Sequence, residues 1–411
     1  MRGLVFVLTV VVMVACAREQ PVRGAAGGSD AAEPIPVAAE LDPETAAWLA
    51  EATNAFGFDL LAELDDGGNV ILSPTSVAVV LTMLLNGASG ETAERIAETL
   101  HVAGRNEVAI NAAYASLLAT LQATDEVELA IANSLWADAG TPFEPSYLER
   151  MLEGFAATVD NVDLGAPEAS ERIDAWVREE TRELIDGIAK DLGLPNPQAV
   201  LVLLNAVYFK GVWSMSFDPT RTRDGEFTRP DGTTVTVPMM SRDDEIAHGR
   251  GDGFEIVRLP YGEDERFAME IILPDGPLET VPLDAEAWAA ATEALTEKRV
   301  VVTMPRFELE YATENGALDN ALRNLGMGIA YGGESDFTRM SPVDPWLSTV
   351  VHKTYIRVDE EGTEAAAVTG GVMEVSRPPE FAVDRPFLFT ISDADTDTIL
   401  FLGAVTDPSA Q

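Results

Sequence analysis

From Val200 to Phe209 the chain reads VLVLLNAVYF, a β-prone run whose one amide is Asn205. Apolar residues fill odd and even positions alike, so a strand here has no face to give to water and predicts cover on both sides. That demands a layered domain with packed elements above and below. A second segment makes the same demand in helical form. Ser73 and Pro74 open it, Val77 to Leu85 is apolar all round, and Asn86 with Gly87 closes it, which predicts a buried helix. Asp42 followed by Pro43 and Glu44 marks the start of the folded part. Helical patterns continue over Glu91 to Leu100, Val108 to Leu121, Pro145 to Phe155 and Pro167 to Leu184. Strand patterns then take over at Glu226 to Phe227, Thr233 to Val237, Glu255 to Leu259, Phe267 to Leu273 and Arg299 to Pro305. Helices in one block and strands in another give an α+β fold. With 46% hydrophobic residues and no Pro/Gly/Ser-rich break in the body, the 411 residues read as one large domain.

The last third carries the functional signal. In VVHKTYIRVDEEG, Val350, His352, Thr354, Ile356 and Val358 alternate with Lys353, Tyr355 and Arg357, which predicts a strand. It runs directly into EEGTEAAAVTGG, Glu360 to Gly371. Gly362 frees the backbone there. Beyond it Thr363, Ala365, Ala367, Thr369, Gly371 and Met373 share one side of any extended chain, and Glu364 and Glu374 share the other. One face is uncharged and small, the other soluble, so the segment suits a strand added to a sheet up to Pro378 and Pro379, where ladder donors vanish. An Ala-rich helix or a flexible linker is the other reading. FAVDRPFLFTISDADTDTILFLGAVTDP follows as two apolar runs around an acidic turn, a C-terminal hairpin.

Taken together with NVILSPTSVAVVLTMLLNGASGETAERI (Asn69 to Ile96), LLNAVYFKGVWSMSF (Leu203 to Phe217), VPMM (Val237 to Met240) and VTMPRFELEY (Val302 to Tyr311), the chain resembles the serpin family. The order and spacing of these blocks cover roughly residues 45 to 408. The resemblance implies a serpin fold with about nine helices and three β-sheets, and a reactive-centre loop at about residues 360 to 380 exposed above the largest sheet. It also implies a suicide inhibitor of serine proteases, with a covalent protease complex as its partner state and a monomer otherwise. The hinge is then Glu360, Gly362, Thr363, Glu364, Ala365, Ala366 and Ala367. Ser73, Ser76, Asn205 and His352 match the family's hydrogen-bonded cluster beneath the main sheet, and Trp213 matches the tryptophan where insertion begins. Read without the resemblance, Ser73 is a helix cap, His352 a satisfied core histidine and Trp213 ordinary core packing. Counting forward from Gly362 by the usual loop length puts the bait bond after Ser376, and counting back from Pro386 puts it after Val375. The bond between Val375 and Ser376 is favoured, since Pro378 resists cutting after Arg377. Valine there suits elastase-like or subtilisin-like proteases; Arg377 keeps a trypsin-like target open. A non-inhibitory serpin serving as a binding module is the alternative.

Residues 1–15 pair a basic Arg2 with an apolar run too short to span a bilayer, ending in Met13, Val14, Ala15 before Cys16, the only cysteine. This resembles a lipoprotein signal of bacterial type, with lipid on Cys16, residues 16–41 as an acidic tether and 42–411 as the serpin domain. A plain secretory signal is the other reading; both place the protein outside the cytoplasm, lipid-anchored to the cell envelope or secreted. One cysteine allows no internal disulfide. The net charge of −42, from 27 basic and 69 acidic residues, repels phosphates and so argues against nucleic acid; only a lipid would tie the chain to a membrane. Three histidines, His101, His248 and His352, show no metal-ligand spacing, and no Walker, Rossmann or G-x-S-x-G pattern occurs. No cofactor, metal or catalytic role is expected.

Overall fold

A computed structural model describes residues 5–8, 14–17, 41–124, 126–313, 316–360 and 378–410. Two short strands, β1 (Val5–Leu8) and β2 (Val14–Ala17), come first. Helix α1 (Pro43–Leu64) begins where the Asp42 carboxylate accepts the Thr45 N–H at 3.0 Å, with Pro43 in the first turn. Strand β3 (Val70–Leu72) leads into α2 (Pro74–Leu85), every residue of which is buried. Next come α3 (Gly90–Thr99), α4 (Glu107–Gln122), β4 (Glu128–Asp138), α5 (Pro145–Gly154), β5 (Thr158–Val162) and α6 (Pro167–Glu180). The last of these stops short of Leu184. The Thr181 hydroxyl turns back to the Val177 carbonyl at 2.6 Å, and Arg182 and Glu183 take left-handed φ values of 49° and 66°, so the helix cannot propagate.

Strand β6 (Ala199–Gly211) is followed by β7 (Arg223–Thr228), β8 (Thr234–Gly251), β9 (Phe254–Tyr261), β10 (Phe267–Pro274), α7 (Ala285–Glu293), β11 (Thr296–Pro305), β12 (Phe307–Ala312) and α8 (Ala317–Asn324). The chain finishes with β13 (Trp346–Thr349), β14 (Lys353–Val358), β15 (Glu380–Ala382), β16 (Phe387–Asp393) and β17 (Thr398–Val405). Among the described residues there are eight α-helices, against the nine or so expected. The strand foreseen from Val350 onward begins at Lys353, and buried and half-buried residues alternate from His352 to Val358.

One sheet of eight strands has β6 at its centre. On one side lie β4 and then β5; on the other, β1 and β2 stand end to end, flanked in turn by β14 and β13, with β12 beyond β14. The other nine strands are joined through β8, which pairs with β7 and β11 along most of its length and with β9 over its last five residues. They therefore act as two sheets sharing one strand, which makes three sheets in all. The C-terminal hairpin β16–β17 lies between β10 and the edge strand β3.

The absence of a polar face on β6 now has its cause. Leu201, Leu203, Val207 and Phe209 join the main core, while Val202, Leu204 and Tyr208 join a second core with Ile173 and Val177 of α6. Helix α2 packs between β6 and β17, so it too is surrounded.

Candidate functional site

Strands β6 and β14 do not pair with each other; one strand position separates them. β1 fills one end of that slot, antiparallel to both neighbours, with Leu8 opposite Tyr208 on one side and Tyr355 on the other. β2 fills the far end, where Ala15 lies opposite Val202 of β6 and Thr349 of β13. Cys16 is thus paired in register with Leu201 and Leu347. The sequence reading gave these N-terminal residues no place in the fold. Removal of residues 1–15 would take away β1 entirely.

Between those two levels, Asn205 on β6 and His352 just before β14 face each other across the slot in register terms. His352 is 1% exposed, and its Nε2 accepts the Ser73 N–H at 3.1 Å. That bond assigns the ring proton to Nδ1, which has no partner among the described residues. Burial holds the ring neutral, with its pKa pushed down to about 3. Ser73 also caps α2: its hydroxyl accepts the Ser76 N–H at 3.3 Å and donates to the Ser76 hydroxyl at 3.1 Å. Three of the four expected members therefore form one cluster.

Asn205 does not join them. Its amide donates to Oδ1 of Asn133, directly opposite on β4, at 2.7 Å, and Asn133 in turn donates to the Phe155 carbonyl. Its own Oδ1 is buried without a partner among the described residues. The two orphans are complementary, a donor on His352 and an acceptor on Asn205. Asn133 was missed because β4 itself was not foreseen, although its alternation and its position opposite Asn205 were the available signal.

Beyond the slot, where β14 ends, the chain is gripped. Trp213 Nε1 donates to the Asp359 carbonyl at 2.9 Å, and its ring stacks on Tyr261 with centroids 4.4 Å apart. The Phe217 N–H donates to the Glu360 carbonyl at 3.2 Å. The Glu360 carboxylate accepts the Thr222 hydroxyl at 2.6 Å and lies 3.6 Å from the Arg306 guanidinium. Of these partners only Trp213 was foreseen. Arg306 sits next to Pro305 in the VTMPRF block, but nothing in the sequence alone aims it at Glu360.

The remaining hinge residues, Gly362, Thr363, Glu364, Ala365, Ala366 and Ala367, and the bait residues Val375 and Ser376 lie outside the described residues. Among the described residues no group of His, Cys, Asp and Glu could hold a metal, and no helix is long and apolar enough to cross a membrane.

The comparisons agree on one family. A model of the family described as serpin (serine protease inhibitor) matches residues 51–408. The leukocyte elastase inhibitor of Bos taurus is 34% identical over 88% of this chain and 99% of its own, and an uncharacterized serpin-like protein of Thermococcus kodakarensis is 34% identical over 88% and 86%. Human thyroxine-binding globulin, solved as its thyroxine complex, superposes with a TM-score of 0.78 at 27% identity, covering 89% of this chain and all of that one. The similar proteins thus include an elastase inhibitor and a thyroxine-binding globulin. A strand position between β6 and β14 that β1 and β2 take at its two ends, a histidine–serine cluster beside it and a gripped strand end stand where the matching blocks run, and the chain belongs to the serpin family.

Proposed function

We propose that the protein is an inhibitory serpin that traps serine proteases by inserting its loop into the slot beside β6. The observation that carries this reading is the direction of the strand held between β6 and β14. β1 runs antiparallel to both β6 and β14. A chain that leaves β14 at Glu360 and folds back runs in that same direction, so the loop can supply the missing strand without crossing another element. Residues 361–377 separate the gripped Glu360 from Pro378. Eleven of them, Thr363 to Met373, span roughly 36 Å when extended. That is enough to carry an attached protease far from its docking position.

The target's nucleophile attacks the bait carbonyl as in any substrate and forms an acyl-enzyme ester. Insertion must outrun hydrolysis of that ester. Small, uncharged inward residues matter because each buried unpaired charge would cost several kcal/mol. Val375 at the bond to Ser376 supports elastase-like or subtilisin-like targets, and the elastase inhibitor among the relatives is in keeping with that choice. Residues 1–15 are read as a leader removed before Cys16, which then carries lipid and anchors the chain outside the cytoplasm; this clears β1 from the slot.

Incubation with elastase-, subtilisin-, chymotrypsin- and trypsin-like enzymes tests the reading. An SDS-stable adduct with a released peptide beginning at Ser376 is expected. A peptide beginning at Pro378, or turnover with no adduct, would overturn it. For the anchor, Cys16→Ser should release the protein or leave an unprocessed precursor; a processed variant still bound to membranes contradicts it.

A further inference from the structure

Behind the segment that grips Glu360, Arg242 on β8 is 6% exposed, yet none of the described carboxylates forms an ion pair with it. Glu270 and Asp393, buried as deeply, each hold an arginine, at 2.8 and 2.6 Å. A buried cation without a contacting counter-charge is costly, and the nearest carboxylates, Asp244 and Glu265, reach Arg242 only through space. Its Nη1 donates to the Met215 carbonyl, its guanidinium carbon lies 5.5 Å from the centre of the Phe217 ring, and its Nε is buried with no partner. The side chain lines an open cavity of about 720 Å³ that also takes in Ser214 and Pro260.

The rim of that cavity is mostly acidic; the second cation on it, Arg258, is already paired with Glu270. Asp244 and Glu265 act on Arg242 through space, and Glu245, Glu293 and Glu297 add to the same sign. A simple anion would be drawn to Arg242 but repelled by the rim. A simple amine would suit the rim but leave Arg242 unpaired. We propose that this cavity binds a small zwitterion, an amino acid with a cationic side chain, its carboxylate on the Arg242 guanidinium and its cationic group among Asp244 and Glu265. Charge-assisted contacts at both ends then satisfy both sets of groups at once.

The place of the site gives its occupancy a consequence. Arg242 holds Met215 and covers Phe217, and the same short segment supplies Trp213 and the Phe217 N–H to Asp359 and Glu360. A ligand on Arg242 therefore sits one residue contact away from the hinge grip. Binding itself stands independently of the inhibitory reading.

Calorimetric titration of the whole protein at fixed ionic strength with L-arginine, acetate and putrescine decides the matter. Saturable one-to-one binding of L-arginine is expected, tighter than acetate or putrescine by roughly tenfold or more, the worth of one additional charge-assisted contact. Arg242→Gln should abolish it. Because that change also removes the Met215 clasp, the double variant Asp244→Asn with Glu265→Gln, at half-buried and exposed positions, provides the second arm. It should weaken L-arginine by about tenfold while leaving acetate no weaker. No saturable L-arginine binding to the folded protein, equal binding of all three probes, or L-arginine binding unchanged in the double variant would each overturn the proposal.

Discussion

At the Glu360 end of the slot, the carbonyls of Asp359 and Glu360 and the Glu360 carboxylate are all engaged, by Trp213, Phe217, Thr222 and Arg306. Halfway along, His352 Nδ1 and Asn205 Oδ1 are buried with no partner among the described residues. The bonds of the first region run to the segment between β6 and β7 and to Arg306, between β11 and β12, and not to the strands in the slot. The second depends on the slot. A neutral imidazole N–H and an amide oxygen on opposite flanks are what a closed sheet would join, and parting the strands leaves both unsatisfied at a cost of about 1–3 kcal/mol each. The proposed insertion would use the first region as a fixed pivot and would act on the second.

The predictions that probe this contrast descend in size. Thr363→Arg should turn inhibitor into substrate, because a charge aimed into the sheet stalls insertion at a cost of several kcal/mol while the bait bond is still recognised. Glu364→Arg, on the solvent side of the alternation, should leave most inhibition intact, and equal losses in the two variants would show the facing to be wrong. Trp213→Ala removes the stack on Tyr261 and the bond to Asp359, and should lower stability by about 3–5 kcal/mol in urea unfolding. Under 1 kcal/mol would mean that the grip is not set by this ring.

The middle of the slot should respond to acid. His352 is held neutral to about pH 3, against an ordinary value of 6.5. As pH falls the unfolded chain takes up this proton first, so the histidine's contribution is complete above pH 6.5 and declines below it, by about 2 kcal/mol at pH 5. Glu270 and Asp319, raised by burial, act in the opposite sense and do so in any variant. The difference in unfolding free energy between the native protein and His352→Gln should therefore fall between pH 7 and 5; parallel curves would exclude this ring as the titrating group. Smallest of all, Glu360→Gln should cost under about 1 kcal/mol, since Arg306 is half exposed and the Thr222 bond survives.

Much of this was legible from residues alone. The double-sided apolarity of residues 200–209 foretold both cores that sandwich β6, and the all-round apolarity of residues 77–85 foretold the burial of α2. Ser73, Ser76 and His352 came together as the family blocks implied. Asn205 was placed on the right strand, but its partner Asn133 went unread, because β4 was not foreseen despite the alternation in ELAIANSLWAD. The ends of α6 and β14 were misjudged where one hydroxyl, Thr181, and the cap cluster at His352 override local pattern. Partners such as Thr222 and Arg306 could not be read at all, since they reach Glu360 only through the crossing of three separate segments.

The central claim is that residues 363–373 are held out of a sheet that would accept them. Nicking the loop with a non-target protease removes that constraint, so the freed strand should gain ladder hydrogen bonds and bury its small face. Thermal unfolding of intact and singly cut protein, followed by circular dichroism, measures the gain. The account predicts that the cut form melts tens of degrees higher, at up to about 1–3 kcal/mol for each inserted contact residue. An equal or lower melting temperature after a verified single cut between Gly371 and Arg377 would contradict it.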